Sequence, residues 1–180
     1  MYYVKAIIAL LIRLYFGWAF LSAGLEKWQT GFGAKSVTGY LKGGLSQTHS
    51  ALLAAKGPAA AAHANVTDTW AWLIQNVFIP NAGVFAFLVK TGEVLVGAGL
   101  ILGLFTHLAT CFALLMNFSY LLTGTISSNP QMVLGFLVIF LFGSASYYIG
   151  LDNFIIPKLV EKYHVLKERD WLKIFFPVRD

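Results

Sequence analysis

The sequence KTGEVLVGAGLILGLF, residues 90–105, places two opposite charges, Lys90 and Glu93, at the head of an otherwise apolar run. With the apolar residues that precede it, the run is long enough to cross a bilayer, which takes about 20 residues at 1.5 Å each. A charge at bilayer depth is costly, and it usually faces a partner or a cavity. The stretch therefore predicts a membrane-spanning helix with a polar site on one face.

The composition extends this prediction to the whole chain. Of its 180 residues, 58% are hydrophobic and only 12% are charged, whereas soluble domains are roughly 25% charged. A lipid-exposed helix satisfies its own backbone, so the fold class is all-α, an integral membrane four-helix bundle. The predicted helices are about 4–25, 82–105, 107–123 and 131–150, within one domain of residues 1–180 that also holds an outer loop, 26–81, and an inner-surface tail, 151–180.

The net charge of +5 indicates topology rather than nucleic-acid binding. Basic residues cluster after helix 4, and the positive-inside rule then places both termini in the cytoplasm. The alternation of apolar and basic residues between 154 and 176 predicts an amphipathic tail on the inner leaflet. The basic residues after helix 4 are Lys158, Lys162, Lys167, Arg169, Lys173 and Arg179.

Helix 1 and the helix of residues 82–105 both carry glycines on a helical stripe. In helix 1, five residues follow one another at intervals of 4, 3, 4 and 3, so their side chains lie on one face of the helix. Glycines on that face allow a neighbouring helix to pack closely. This stripe is Arg13, Gly17, Phe20, Gly24 and Lys27. The second helix is predicted to touch two neighbours, one through Gly92, Gly99 and Gly103, and one through Lys90, Glu93 and Gly97.

Counting residues from the inner boundary places three polar groups at one depth. With residues 5 and 104 at that boundary, Arg13 lies about 12 Å deep, Glu93 about 16 Å and Asn117 about 15 Å. We therefore predict that Arg13 and Glu93 form an ion pair, or share a water or ligand, while Asn117 completes the hydrogen bonds. Lys90 lies about one turn higher and can snorkel outward. Trp18 joins these four as a predicted ligand-binding residue, and the alternative is a polar clamp that only fixes helix register.

The outer loop is longer than a helix connection requires. Its middle is predicted to be a mobile connector, and Asp68 is predicted to cap an amphipathic segment that lies on the membrane surface. Two interpretations stay open, a surface-lying lid without chemistry and a cap over a pocket that opens outward.

Familiar catalytic and metal motifs are missing from the sequence. Cys111 is the single cysteine, so no internal disulfide can form. No metal site is predicted, because the four histidines lack ligand spacing. His107 is predicted to be an interfacial histidine, and the alternative is a haem ligand at the inner end of helix 3. The histidines are His49, His63, His107 and His164.

Several motifs together resemble the DoxX-like family of bacterial membrane proteins. They are the helix 1 stripe, Pro80-Asn81-Ala82-Gly83, Gly92-Glu93 with the glycines up to Gly103-Leu104-Phe105-Thr106, Asn117-Phe118, Asn129-Pro130 and Gly150-Leu151-Asp152. The long outer loop and basic tail resemble the DoxD branch, the membrane subunit of thiosulfate:quinone oxidoreductase. The resemblance implies a multi-pass protein of a bacterial or archaeal cytoplasmic membrane, linked to sulfur or quinone redox chemistry.

The functional hypothesis is thus a membrane subunit of a quinone-linked oxidoreductase that binds quinone or a small reductant near the midplane, with the catalytic residues unknown. Any redox group must be a bound quinone or belong to a partner subunit. Two alternatives are a non-catalytic membrane scaffold that recruits a redox partner, and a small-molecule transporter that works as a homo-oligomer.

Overall fold

The computed structural model describes residues 1–163 and, up to residue 158, their side chains. Within this part of the chain the fold is all-helical, with no β-strand beyond an isolated bridge between Thr48 and Val66. The α-helices are α1 (Tyr2–Gln29), α2 (Ala34–Leu45), α3 (His49–Lys56), α4 (Pro58–Ala61), α5 (Asp68–Leu73), α6 (Ala82–Leu102), α7 (Thr106–Leu122), α8 (Asn129–Leu141) and α9 (Asp152–Tyr163). A π-helical turn (Ile74–Phe78) follows α5, and a 3-10 turn (Gly143–Tyr147) follows α8.

The closest helix pair is α1 with α6, and glycines make it possible. A Cβ on Gly24 would lie 2.8 Å from the backbone nitrogen of Val94, and one on Gly97 would overlap the backbone of Leu21 and Gly17. Four members of the predicted α1 stripe are buried, all but Lys27. The prediction that this face packs against a neighbour through glycines is therefore confirmed.

The second glycine face of α6 packs against α7. A Cβ on Gly92 would lie 3.5 Å from the sulfur of Met116, and one on Gly99 would lie 3.2 Å from the Cβ of Ala109. The helix therefore contacts α7 through Gly92 and Gly99, and α1 through the face that carries Glu93 and Gly97. The two-neighbour prediction is confirmed for these four residues, but it was wrong for Gly103, whose Cβ position meets the Arg13 side chain and Gly150 rather than α7.

One apolar core joins α1, α6, α7 and α8. Each of these helices contributes two buried residues to it: Phe16, Phe20, Val96, Leu100, Ala109, Ala113, Phe136 and Ile139. Among residues 1–163, α1 and α6 are long and apolar enough to cross a membrane, while α7 and α8 are shorter apolar helices. Many large apolar side chains of these helices point outward, as a lipid-facing surface requires.

Two helices end earlier than the sequence predicted. The α6 helix ends at Leu102 rather than 105, because Gly103 takes a left-handed backbone with φ of +63°. The α8 helix ends at Leu141 rather than 150, and Gly143, with φ of +52°, precedes the 3-10 turn. The chain is thereby redirected into α9. The part of the predicted amphipathic tail from 164 to 180 lies outside the described residues.

The part that was predicted to be a mobile connector, residues 52–62, contains the end of α3 and all of α4. The outer segment between α1 and α6 is thus helical. Its helices share a second core with the start of α6: Val37, Leu41, Val66, Ala71, Ile74, Ala82 and Ala86. The helix cap is Thr67, whose hydroxyl accepts from the backbone nitrogen of Trp70 at 3.3 Å, while Asp68 is the first helical residue. The α2–α5 segment and the π turn are called the outer cap below.

Replacing Trp70 with phenylalanine should loosen the outer cap. The indole nitrogen of Trp70 donates to the Thr123 hydroxyl at the end of α7, 3.0 Å away. Phenylalanine keeps most of the apolar area but loses this hydrogen bond, so the free energy of unfolding should fall by about 1 kcal/mol. Faster limited proteolysis in residues 30–80, with Trp72 to phenylalanine as the exposed control, would support this, and equal rates would contradict it.

Candidate functional site

Arg13 lies at the C-terminal end of α6 and does not meet Glu93, so the predicted ion pair was wrong. The guanidinium is buried and donates to three carbonyl oxygens. These belong to Leu100 at 2.9 Å, Ser146 at 2.9 Å and Ile149 at 3.0 Å. Arg13 therefore joins α1 to the end of α6 and to the 3-10 turn.

The error lies in the register of α1 against α6. The depth count put residue 16 of α1 opposite Glu93, whereas the packing puts Gly24 there. This shift of about eight residues corresponds to about 12 Å along the helix. The glycines set the register, because only at their positions do the two backbones approach this closely. Lys27, one turn beyond Gly24, thereby takes the place that was predicted for Arg13.

Asp152 completes the inner junction. Its carboxylate accepts from the backbone nitrogens of Phe105 and Thr106, both at 2.7 Å, at the start of α7. These nitrogens would otherwise lack partners, as the first N–H groups of any helix do. The backbone nitrogen of Asp152 donates in turn to the carbonyl of Gly103 at 2.8 Å. Arg13 and Asp152 thus fix the junction of α1, α6, α7 and α9, and they are far from Glu93 along α6.

Glu93 is the centre of a polar cluster between α1, α6 and α7. Lys27 Nζ donates to Glu93 Oε2 at 2.7 Å, and the hydroxyl of Tyr120 donates to Glu93 Oε1 at 3.1 Å. The Glu93 side chain is 6% exposed, and that of Lys27 is 26% exposed. Both carboxylate oxygens therefore have partners, and the ammonium retains N–H donors beyond the one used here.

A cavity of about 700 Å³ lies between this cluster and the outer cap. Such a volume is typical of small-molecule sites. Most of its wall is apolar, with aromatic rings from the cap and from the start of α6, and Lys27, Glu93 and Tyr120 provide polar groups. The apolar residues on this side are Val37, Leu41, Trp70 and Phe78 of the cap, and Phe32 just before it. The structure thus favours the interpretation of the outer segment as a cap over a pocket.

The same cavity extends to the outer surface of α6 and α7. Its wall includes apolar side chains of both helices that are more than half exposed. They are Phe87, Leu88, Leu95, Phe112 and Leu115. This exposed surface is of the kind that faces lipid, so the cavity has a lateral opening toward the bilayer.

Asn117 lies behind the cluster, in the wall of a smaller cavity of about 140 Å³. Its side-chain nitrogen donates to the carbonyl of Ala113 one turn back, at 2.7 Å. Glu93 and Tyr120 line this small cavity as well as the large one. Glu93 therefore lies between two cavities. The large cavity has aromatic walls, and the small cavity is lined by Asn117.

Two other predicted site residues lie outside both cavities. Lys90 is stacked on the ring of Trp28, with its Nζ 3.9 Å from the ring centroid, so its charge is met by a cation–π contact. Trp18 is 65% exposed on the outer face of α1. Of the five predicted residues, the structure brings together only Glu93 and Asn117.

Sequence reasoning missed the roles of Lys27 and Tyr120. The signal for Lys27 was present, because it ends the stripe that begins at Arg13. Tyr120 is three residues after Asn117 and therefore shares its helix face.

Metal ligands are not clustered in this part of the chain. Among the described residues, no three His, Cys, Asp or Glu side chains lie close enough to hold a metal ion. His107 is buried against the rings of Phe140 and Tyr147, and Cys111 is a half-buried free thiol.

Comparison with known families gives one match. A model of the DoxX family matches residues 8–125, which include most of α1 and all of the outer cap, α6 and α7. Comparisons with curated proteins and with solved structures give no significant match. The matched range contains Lys27, Glu93 and Tyr120, and it ends before Asp152.

Proposed function

We propose that this chain, which belongs to the DoxX family of membrane proteins, binds a quinone between the outer cap, α6 and α7 and serves as the membrane subunit of a quinone-linked oxidoreductase. The observation that carries the proposal is the large cavity, which combines aromatic walls, a lateral opening toward lipid and a buried polar end at Lys27, Glu93 and Tyr120. A lipid-soluble ring with polar oxygens matches each of these three features.

The chemistry of the wall fits such a molecule. A quinone ring needs flat apolar contacts, which Trp70, Phe78 and Phe85 provide. Its carbonyl oxygens need donors, and Lys27 has N–H groups beyond the one bonded to Glu93. Thr91 also lines the cavity, and its buried hydroxyl has no hydrogen-bond partner among the described residues. An isoprenoid tail can leave between the lipid-facing side chains of α6 and α7.

Each polar residue then has a distinct task. Lys27 orients the ring by donating to a carbonyl oxygen, and it stays ordered because Glu93 holds its ammonium. Tyr120 fixes the other oxygen of the Glu93 carboxylate. A bound quinone supplies two-electron, two-proton redox chemistry, and Glu93 is the acidic group beside it that can hold or release a proton.

The remaining parts of this proposal concern the membrane and partners. We place α1, α6, α7 and α8 across a bacterial or archaeal cytoplasmic membrane as a four-helix bundle, with both termini inside and the outer cap outside. The electrons come from a second subunit, because a single cysteine cannot cycle an internal disulfide. The apolar surface of the four helices and the family support the membrane placement.

Quinone binding can be measured with the purified protein and a short-chain ubiquinone, using quenching of tryptophan fluorescence. Replacing Lys27 with methionine removes a charged donor worth about 1.5–3 kcal/mol. The dissociation constant should therefore rise about 10- to 100-fold. Replacing Tyr120 with phenylalanine should weaken binding less, because this hydroxyl acts through Glu93.

Lys90 provides the matched control. It is a second lysine close to Lys27 along the α1–α6 pair, but its charge is on Trp28, outside the cavity. Replacing Lys90 with methionine should leave the dissociation constant within about twofold, well under the 1.4 kcal/mol that a tenfold change represents. Equal effects of the two lysines, or no saturable quenching in the unmodified protein, would refute the quinone site and favour a non-catalytic scaffold.

A further inference from the structure

The small cavity behind Glu93 is a distinct feature of the bundle. It lies between α1, α6, α7 and α8, whereas the large cavity lies under the outer cap. Its wall consists of Ala19, Phe20, Ala23, Glu93, Asn117, Tyr120, Asn129 and Met132. Four of these eight residues carry polar side chains, an unusual share for an interior between apolar helices.

The side-chain oxygen of Asn117 is a hydrogen-bond acceptor that lacks a donor among the described residues. The residue is 1% exposed, and its Nδ2 is used by the carbonyl of Ala113. Its Oδ1 is buried and has no hydrogen-bond partner among the described residues. A buried polar atom without a partner is costly, and in native proteins such atoms are usually satisfied by ordered water.

The cavity meets the requirements for water. Its volume is about 140 Å³, and water occupies about 30 Å³ per molecule in the liquid. A buried water needs two to four polar partners. Four residues with polar side chains lie in the wall: Glu93, Asn117, Tyr120 and Asn129. Cavities that stay dry are apolar, and this one is not.

We propose that the small cavity holds ordered water bound to Asn117 Oδ1 and to the Glu93–Tyr120 pair, and that this water gives Glu93 a route for proton exchange separate from the large cavity. The charged or titratable groups that face Glu93 are Lys27 from α1 and Tyr120 from α7, with Tyr40 from α2 packed on Tyr120. Of these three, only Tyr120 lines the small cavity, so on the Ala19–Ala23 side of Glu93 water is the proton carrier. The route is a property of the protein without any quinone, so it goes beyond the function proposed above.

The test measures hydrogen–deuterium exchange of the Glu93 carboxyl in the ligand-free protein. At a pH low enough to protonate the group, its infrared band is identified as the one that Glu93→Gln removes. Rapid mixing with D2O then gives the exchange rate. Ala23→Leu fills the cavity from α1, and Asn117→Leu removes the free acceptor. Each should slow exchange at least tenfold relative to the unmodified protein.

Two controls separate this route from the large cavity. Ala23→Ser keeps the cavity small-walled and polar, and Ser119→Phe narrows the large cavity from α7, so both should exchange within about twofold of the unmodified rate. An unmodified rate in folded Ala23→Leu or Asn117→Leu, or a tenfold loss in Ser119→Phe, would overturn the proposal. If Ala23→Leu does not fold, Asn117→Leu decides. Quinone affinity is measured in a separate experiment. Failure of the water route can therefore be distinguished from failure of the quinone site.

Discussion

Replacing Gly97 with leucine should prevent α1 and α6 from forming their native contact. A Cβ at this position would already overlap the backbone nitrogen of Leu21 and the carbonyl oxygen of Gly17. A flexible side chain can move aside, but a helix backbone cannot without separating the whole pair. Severe overpacking of this kind exceeds the usual 1–3 kcal/mol for core insertions, so we expect a loss of about 4 kcal/mol or more.

The measurement is the yield of monodisperse protein and its thermal midpoint in mild detergent. Gly39 to leucine is the matched control, because Gly39 is also inside a helix but a Cβ there meets nothing within 4 Å. That variant should be as stable as the unmodified protein or slightly more stable, since glycine is a poor helix former. A Gly97 variant with an unchanged midpoint would show that α1 and α6 do not pack through this face.

Replacing Arg13 with leucine should destabilise the inner junction by about 3–5 kcal/mol, the usual cost of removing one partner from a buried ionic network. Three carbonyl oxygens would lose their donor, and Asp152 would lose the positive charge that lies near it. The loss comes mainly from the carbonyl oxygens of Leu100 and Ser146, because both residues are fully buried and these oxygens cannot reach water without local unfolding.

Arg13 to lysine tests whether charge or shape matters. Lysine keeps the charge but cannot reproduce the planar fork that reaches three carbonyls, so its thermal midpoint should lie between those of the leucine variant and the unmodified protein. Quinone affinity of the lysine variant should be unchanged, because Arg13 lines neither cavity. If the midpoint is unchanged and the affinity falls, Arg13 belongs to a binding site, as the sequence had suggested.

The sequence by itself determined the helices and their contact faces. Apolar runs of membrane length, the stripe from Arg13 to Lys27 and the two faces of residues 90–105 follow from a repeat of 3.6 residues, which every helix obeys regardless of its neighbours. A charge within an apolar run also indicated a polar contact at Glu93, and the structure surrounds its carboxylate with Lys27 and Tyr120. Ligand binding by Glu93 and Asn117 stays a prediction. Motif order was also sufficient to indicate the DoxX family, which the match over residues 8–125 confirms.

Only the tertiary structure decided which charge meets Glu93. The residues on one face of a helix follow from that helix alone. The register between two helices depends on both, because it is set where their backbones can approach most closely. The close contacts of Gly24 with α6, and of Gly97 with α1, shift α1 by about two turns from the depth estimate. Lys27 then reaches Glu93, and Arg13 reaches the inner junction. The position of the outer cap over the cavity also depends on the tertiary structure. The packing of α2 and α5 on α6 joins residues distant in sequence, and the periodicity of a single helix cannot predict such contacts.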